Sequence, residues 1–209
     1  MPSSWVRPIL LVGLAAALAP LAASQPVAPT PEVEALSQAL RDDQEAHLWR
    51  VGAWGLANVV GGAALVLASD RSAQPGLWAF GLQSGAWGAV NLGIAAVGLA
   101  TGTGDISPDW AVAFAAENGY ADVLLLNLGL NVGYAAVGGT LMAVAGRGVS
   151  TPAAWRGHGA ALVLQGTGLF VLDGIAYLGA RGRLGALTEI ASRAEWAVSG
   201  AGLVLVVPL

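Results

Sequence analysis

The chain reads as an all-α, polytopic transmembrane helical bundle, and three features of its 209 residues lead there. It is 56% apolar and 11% charged, with a mean hydropathy of +0.65. Soluble domains carry about a quarter charged residues, so this chain has too little polarity to cover a surface facing water. Its apolar residues also fall in charge-free runs close to the roughly 20 residues that cross a hydrocarbon core. These runs are long and do not alternate, which favours helices over strands.

Taken in order, residues 1–24 have the form of an export signal. Arg7 is followed by an apolar stretch from Pro8 to Ala19 and by small residues at Ala22, Ala23 and Ser24. The apolar stretch is short for a span, so cleavage is expected, with the mature N-terminus outside the cytoplasm. Residues 25–48 read as a Pro-rich linker and an amphipathic surface helix. Thr30 can cap that helix, Pro31 suits its first position, and Glu32 and Glu34 complement its dipole.

Residues 49–182 hold four expected spans, at Val51–Ser69, Leu77–Thr101, Val123–Gly146 and His158–Ala180. Trp49, Trp54, Trp78 and Trp155 mark the starts of spans, as an interfacial belt does, whereas Trp87 falls mid-span. Residues 183–209 are expected to form a C-terminal helix, either a fifth span or a half-inserted one. With the N-terminus outside, Arg147 and Arg156 lie inside, as the positive-inside rule prefers, but Arg181 and Arg183 lie outside. Every basic side chain is Arg, and the Ala/Gly-rich composition fits a GC-rich bacterial genome. The expected location is therefore the inner (cytoplasmic) membrane of a bacterium.

Short elements recur within the spans. Trp54-Gly55-Leu56-Ala57-Asn58 is echoed by Trp87-Gly88-Ala89-Val90-Asn91. Asn91-Leu-Gly-Ile-Ala-Ala-Val-Gly98 is echoed by Asn131-Val-Gly-Tyr-Ala-Ala-Val-Gly138, and more loosely by the segment from Asp173 to Gly179. Gln83 precedes Asn91, and Gln165 precedes Asp173, by the same interval. The pattern suggests a duplicated helical hairpin. It also predicts one polar layer, with Asn58, Asn91, Asn131 and Asp173 at similar depth and facing the bundle interior. Asn127 and Tyr134 flank Asn131 on the third span, Tyr177 lies one turn beyond Asp173, and Gln83 and Gln165 would form a deeper polar pair.

Two readings of this layer compete. Amides often hold membrane helices together, at about 0.6–2 kcal/mol per hydrogen bond, and Gly81-x-x-x-Gly85 and Gly129-x-x-x-Gly133 would permit close approach. Asp173 differs, because an ionised carboxylate is costly in a membrane. No Arg or His is expected at its depth, so it should be protonated or balanced by a bound cation.

The elements Trp54-Gly55-x-x-Asn58, Asn127-x-Gly-Leu-Asn131-Val-x-Tyr134 and Gln165-Gly-x-x-Leu169-x-x-x-Asp173 resemble a family of uncharacterised bacterial membrane proteins of about four helices. The resemblance covers roughly residues 45–182. It implies the bundle and the polar layer, and no activity. Many members of that family carry Asp at the position of Asn131, which implies that this chain has lost one acidic group.

No catalytic or metal-binding set emerges, and no cofactor is expected. His47 and His158 are placed at opposite ends of the spans, too far apart for haem or metal ligation, and both read as interfacial polar residues. Ser84 and Thr167 have no histidine within reach of a triad. The glycine-rich stretches lie inside spans rather than after a strand, so they are not phosphate loops. The net charge of −4 argues against nucleic acid. The expected partners are the lipid bilayer and either a second copy of the chain or a larger membrane complex. The leading expectation is a non-enzymatic scaffold or accessory subunit. The alternative is a carrier of a small solute, proton or cation through the layer around Asp173.

Overall fold

A computed structural model describes residues 30–193, and the backbone of 195–199 and 202–206. The expected export signal lies outside the described residues. Four helices follow in order: α1 Pro31–Ala68, α2 Pro75–Thr101, α3 Trp110–Val144 and α4 Pro152–Ser192. All four are long and apolar enough to cross a membrane. Their outer faces are apolar, with Leu67, Val97, Leu126 and Leu178 all well exposed, as a surface solvated by lipid requires.

The helices start where local chemistry favours it. The Thr30 hydroxyl accepts the Val33 N–H at 3.3 Å ahead of Pro31, and the Asp109 carboxylate accepts the Val112 N–H at 3.0 Å. Between α1 and α2, Asp70 accepts the N–H groups of Ser72 and Ala73 and so fixes the turn.

Two expected boundaries are corrected. The surface helix and the first span are one helix, because nothing between Pro31 and Ala68 breaks the backbone ladder. Residues 183–192 likewise continue α4, so the separate C-terminal helix beginning there is not formed. Beyond it, Glu195–Ser199 pairs antiparallel with Gly202–Val206, with Glu195 opposite Val206 and Ser199 opposite Gly202. A run rich in Val favours this extended form over another turn of helix. The described residues thus hold four spans and no fifth.

α1 packs along α2, α3 packs along α4, and α2 leans on α4. At the end carrying the α1–α2 and α3–α4 turns, backbones come into close contact at glycines. A Cβ on Gly62 would lie 2.5 Å from the Gly81 carbonyl oxygen, and one on Gly138 would lie 2.5 Å from that of Gly159. Gly55 and Gly88, equivalent positions of the Trp-Gly-x-x-Asn elements, also meet: a Cβ on Gly88 would lie 2.6 Å from the Gly55 carbonyl. Small residues permit this approach. Gly81 and Gly85 both face Gly62, but a Cβ on Gly129 or Gly133 would meet nothing within 4 Å. That second small-residue pair points outward and packs against nothing among the described residues.

At the other end α2 stops early. Gly102, at φ 82°, donates its N–H to the Gly98 carbonyl and turns the chain out of the helix. α1, α3 and α4 run on past it as a three-helix overhang. Val33, Ala113, Leu187 and Ile190 form its core, with Leu36, Trp110 and Phe114 around them. Arg183 ties the base of the overhang together. Its guanidinium donates to both carboxylate oxygens of Glu117, at 2.8 and 3.1 Å, and to Asp43 at 3.1 Å.

Candidate functional site

The expected single polar layer is two tiers. The lower tier is built of amides that touch directly. Gln165 on α4 is its hub: its Nε2 donates to Asn58 Oδ1 at 2.6 Å, and its Oε1 accepts from Trp54 Nε1 at 2.9 Å and from Asn91 Nδ2 at 3.4 Å. Asn58 closes on its own helix, donating to the Trp54 carbonyl at 2.8 Å. The Trp54 indole lies over Gly168, where any side chain would collide with it. Three helices are joined here, and Asn58, Asn91 and Gln165 are all buried.

The upper tier lies eight residues further along α4, two turns or about 12 Å. Here Asp173 Oδ2 accepts Asn131 Nδ2 at 2.6 Å, and Asp173 Oδ1 lies 3.1 Å from His47 Nε2. All three residues are buried. This overturns the expectation that no histidine shares the depth of Asp173. The charged stretch before the first span suggested water on every side, yet its inward face continues the buried stripe of α1 through His47, Val51, Gly55, Asn58 and Gly62. His47 is therefore a core residue rather than an interfacial one. His47 Nδ1 has no hydrogen-bond partner among the described residues. An orphaned N–H costs more than an orphaned lone pair, so the favoured tautomer carries its proton on Nε2 and donates it to Asp173. The imidazole and the Asn131 amide thus give the Asp173 carboxyl two polar partners.

Two turns also separate the expected pairing of α2 with α4 from the observed one. Equal spacing predicts Gln83 opposite Gln165 and Asn91 opposite Asp173. Instead Asn91 meets Gln165, and Gln83 Oε1 meets His158 Nδ1 at 3.1 Å. The contact of Gly76 on α2 with Gly157 on α4 sets this register, because only glycine backbones can approach so closely there.

Between α2 and α3 lies a cavity of about 530 Å³. Those two helices make no extended contact; the rings of Trp87 and Tyr134, with centroids 4.7 Å apart, meet across the gap and form its floor. Asn91, Asn127, Asn131, His47 and Asp173 supply polar wall, and Leu48, Val51, Leu124 and Leu169 supply apolar wall. Its upper mouth lies against Gly102, Thr103 and Gly104, and its open side is rimmed by the exposed Ile94, Val123 and Leu130. Asn127 makes no hydrogen bond among the described residues, so its amide is free to face an occupant.

Of the residues singled out from sequence, Asp173, Asn91, Asn127, Asn131, Tyr134 and Trp87 line this cavity. Asn58 and Gln165 lie behind its wall in the lower tier. Gln83 belongs to a different cavity, of about 500 Å³, at the turn end beside Arg71, Trp78 and His158. Tyr177 packs against Ala121, Leu124, Ala176, Ala180 and Leu184 rather than facing the cavity. Sequence reasoning missed His47, Gln44 and Tyr120 in the wall. Among the described residues, no cluster of three or more His, Asp or Glu is arranged to hold a metal ion.

Residues 50–174 match the model of a family described as being of unknown function, DUF6992. The chain belongs to that family. The matched stretch begins after His47 and ends just past Asp173, so it holds the lower tier, Asn131 and Asp173, but not the imidazole. No curated protein and no solved structure matches the chain.

Proposed function

We propose that this protein is a non-enzymatic membrane bundle that binds a small, non-anionic ligand in the cavity between α2 and α3. The observation that carries this reading is the buried His47–Asp173 pair in the cavity wall. A scaffold needs no free volume beside a buried carboxylate, and burying one is costly unless its partners are used. Among the described residues the wall carries no arginine, so an anionic occupant would meet the Asp173 carboxyl with only His47 beside it to offset the charge. The volume suits a drug-sized molecule, because ligand pockets run from about 300 to 1,000 Å³. Below the cavity, the glycine crossings and the amide tier close the bundle, which supports binding from one side over an open pore.

Carriage of a solute or proton is the second reading. It is favoured by Asp173 lying within hydrogen-bond reach of an imidazole with which it can exchange a proton. The proposed orientation keeps the overhang outside the cytoplasm. Arg183 then lies outside against the positive-inside preference, but Glu117 and Asp43 match its charge.

The test is the thermal midpoint of the purified protein with methylammonium, choline and glycerol. At least one should raise the midpoint, and Asp173→Asn should remove that effect, while Gln83→Leu in the other cavity keeps it. If Asp173→Asn changes nothing, or if neither these ligands nor a larger neutral or cationic one shifts the wild type, the binding reading falls and the scaffold reading stands. Proton flux into liposomes that disappears in Asp173→Asn would establish carriage; binding without flux would dismiss it.

A further inference from the structure

The cavity has two openings of different character. One is the mouth at Gly102–Gly104, level with the end of α2. The other is the slot between α2 and α3, which runs from the mouth down to the rings of Trp87 and Tyr134. Along α2 that is fifteen residues, about 22 Å at the helical rise, so the slot extends far below the mouth. Its rim is Ile94 on one side and Val123 and Leu130 on the other, all more than 40% exposed although they lie inside apolar spans. A slot at that depth faces acyl chains, not water. The polar groups sit on the opposite, inner wall: Asp173, His47, Asn131 and Asn127.

We infer that the occupant is a single-chain amphiphile drawn from the bilayer. It enters between α2 and α3, with a hydrogen-bond-donating, non-anionic head against Asp173 and its apolar chain left lying in the slot. This rests on the cavity being a binding site and adds the class of ligand and its route.

Each part of the molecule has its counterpart. Asp173 accepts one bond from His47 and one from Asn131, and a carboxylate has about four lone-pair sites, so it can accept from a hydroxyl or ammonium head as well. Asn127 adds a free donor and acceptor beside it. An anionic head would meet the Asp173 carboxyl in a wall that carries no arginine among the described residues, which disfavours fatty-acid anions and acidic phospholipids. A cavity of about 530 Å³ is of drug-ligand size, which suits one chain and not two. The chain gains no hydrophobic energy on leaving lipid for the slot, because lipid is equally apolar. Selectivity therefore lies in the head, and the slot provides access.

The test uses the full chain in phosphatidylcholine nanodiscs, with monoolein for a hydroxyl head and dodecylamine for an ammonium head. Oleate serves as the anionic comparison, and glycerol and methylammonium as the chainless heads. Retained ligand is read by native mass spectrometry, and the thermal midpoint is followed alongside. At least one of monoolein and dodecylamine should bind saturably at one per chain, and which one binds identifies the head. Asp173→Asn should weaken it roughly tenfold, the value of one charge-assisted hydrogen bond. Ile94→Trp, which fills the slot from an exposed position, should block the amphiphile while the ligand-free thermal midpoint stays at the wild-type value. Leu130→Trp repeats this from the α3 side and guards against a folding defect in either variant.

Chainless heads that bind while neither amphiphile does would overturn the inference and leave the binding site standing. The same holds if oleate binds best, or if both tryptophan variants bind the amphiphile as the wild type does. If nothing binds in any arm, both the inference and the reading it rests on fall.

Discussion

The two ends of this bundle solve the problem of polar groups in a membrane in opposite ways. Toward the turn end, helices meet backbone to backbone at Gly55, Gly62, Gly81, Gly88, Gly138 and Gly159, and the amides of Asn58, Asn91 and Gln165 use their hydrogen bonds on one another. Toward the overhang, α2 ends, α3 stands away from it, and Asp173, Asn131 and Asn127 border open volume. The same residue types therefore serve as adhesive in one half and as wall in the other. What separates the two roles is helix spacing, which glycine sets in the lower half. In the upper half the overhang holds the three long helices together, and α3 stands off α2 to leave the cavity.

That contrast can be broken most forcefully at Gly62. A Cβ there would lie 2.5 Å from both the Gly81 oxygen and the Gly85 nitrogen, and a backbone cannot yield as a flexible side chain does. Gly62→Leu should cost about 3 kcal/mol or more, measured by unfolding in detergent. Gly129→Leu has open space around it and should stay within about 0.5 kcal/mol of the wild type. Equal losses in the two variants would mean that glycine packing does not set the spacing.

A smaller effect should separate the tiers. Gln165→Leu removes the bonds to Trp54, Asn58 and Asn91, and should cost about 2 kcal/mol while leaving ligand binding in the cavity intact. Asn127→Ala should do the reverse, weakening binding with a stability change within about 0.5 kcal/mol. If both variants lose stability equally and bind equally well, the division into adhesive and wall is wrong.

The smallest effect concerns the α1–α2 turn, outside the spans. The backbone N–H groups of Ala73 and Ser72 hold the Asp70 carboxyl below its ordinary range. The sign follows from linkage: the ionised group helps the folded state above the ordinary carboxylate range, and that help is lost as pH falls through the lowered value. A carboxyl ¹³C titration should place Asp70 below a free aspartate. Asp70→Asn should leave the melting midpoint nearly unmoved, because the group is exposed.

The spans were legible because hydropathy is a property of long segments, and errors of a residue or two do not alter it. The inward-facing amides were legible because a polar side chain in lipid has few places to go. Register was not legible. The interval from Gln83 to Asn91 equals that from Gln165 to Asp173, yet α4 is displaced by two turns, because the Gly76–Gly157 contact fixes its height and equal spacing says nothing of height. His47 could have been found. The stripe His47, Val51, Gly55, Asn58, Gly62 keeps helical period straight through the charged segment, and period is better evidence of an inward face than the position of the first Arg. The outward direction of Gly129 and Gly133 had no signal, since a small-residue pair has the same pattern on either face of a helix.

α4 is a single unbroken helix that borders both cavities, with Ala154, Trp155 and His158 at one and Leu169 and Asp173 at the other. Near one extremity a Cβ on Gly157 would meet the Gly76 backbone. At the other, Arg183 holds Glu117 and Asp43, and Leu187 and Ile190 sit in the overhang core. Mechanically α4 is a beam fixed at both ends, about 52 Å from Gly157 to Ser192. A beam pinned in this way holds the two cavities at a set separation, so neither can shift along it without disturbing an anchor.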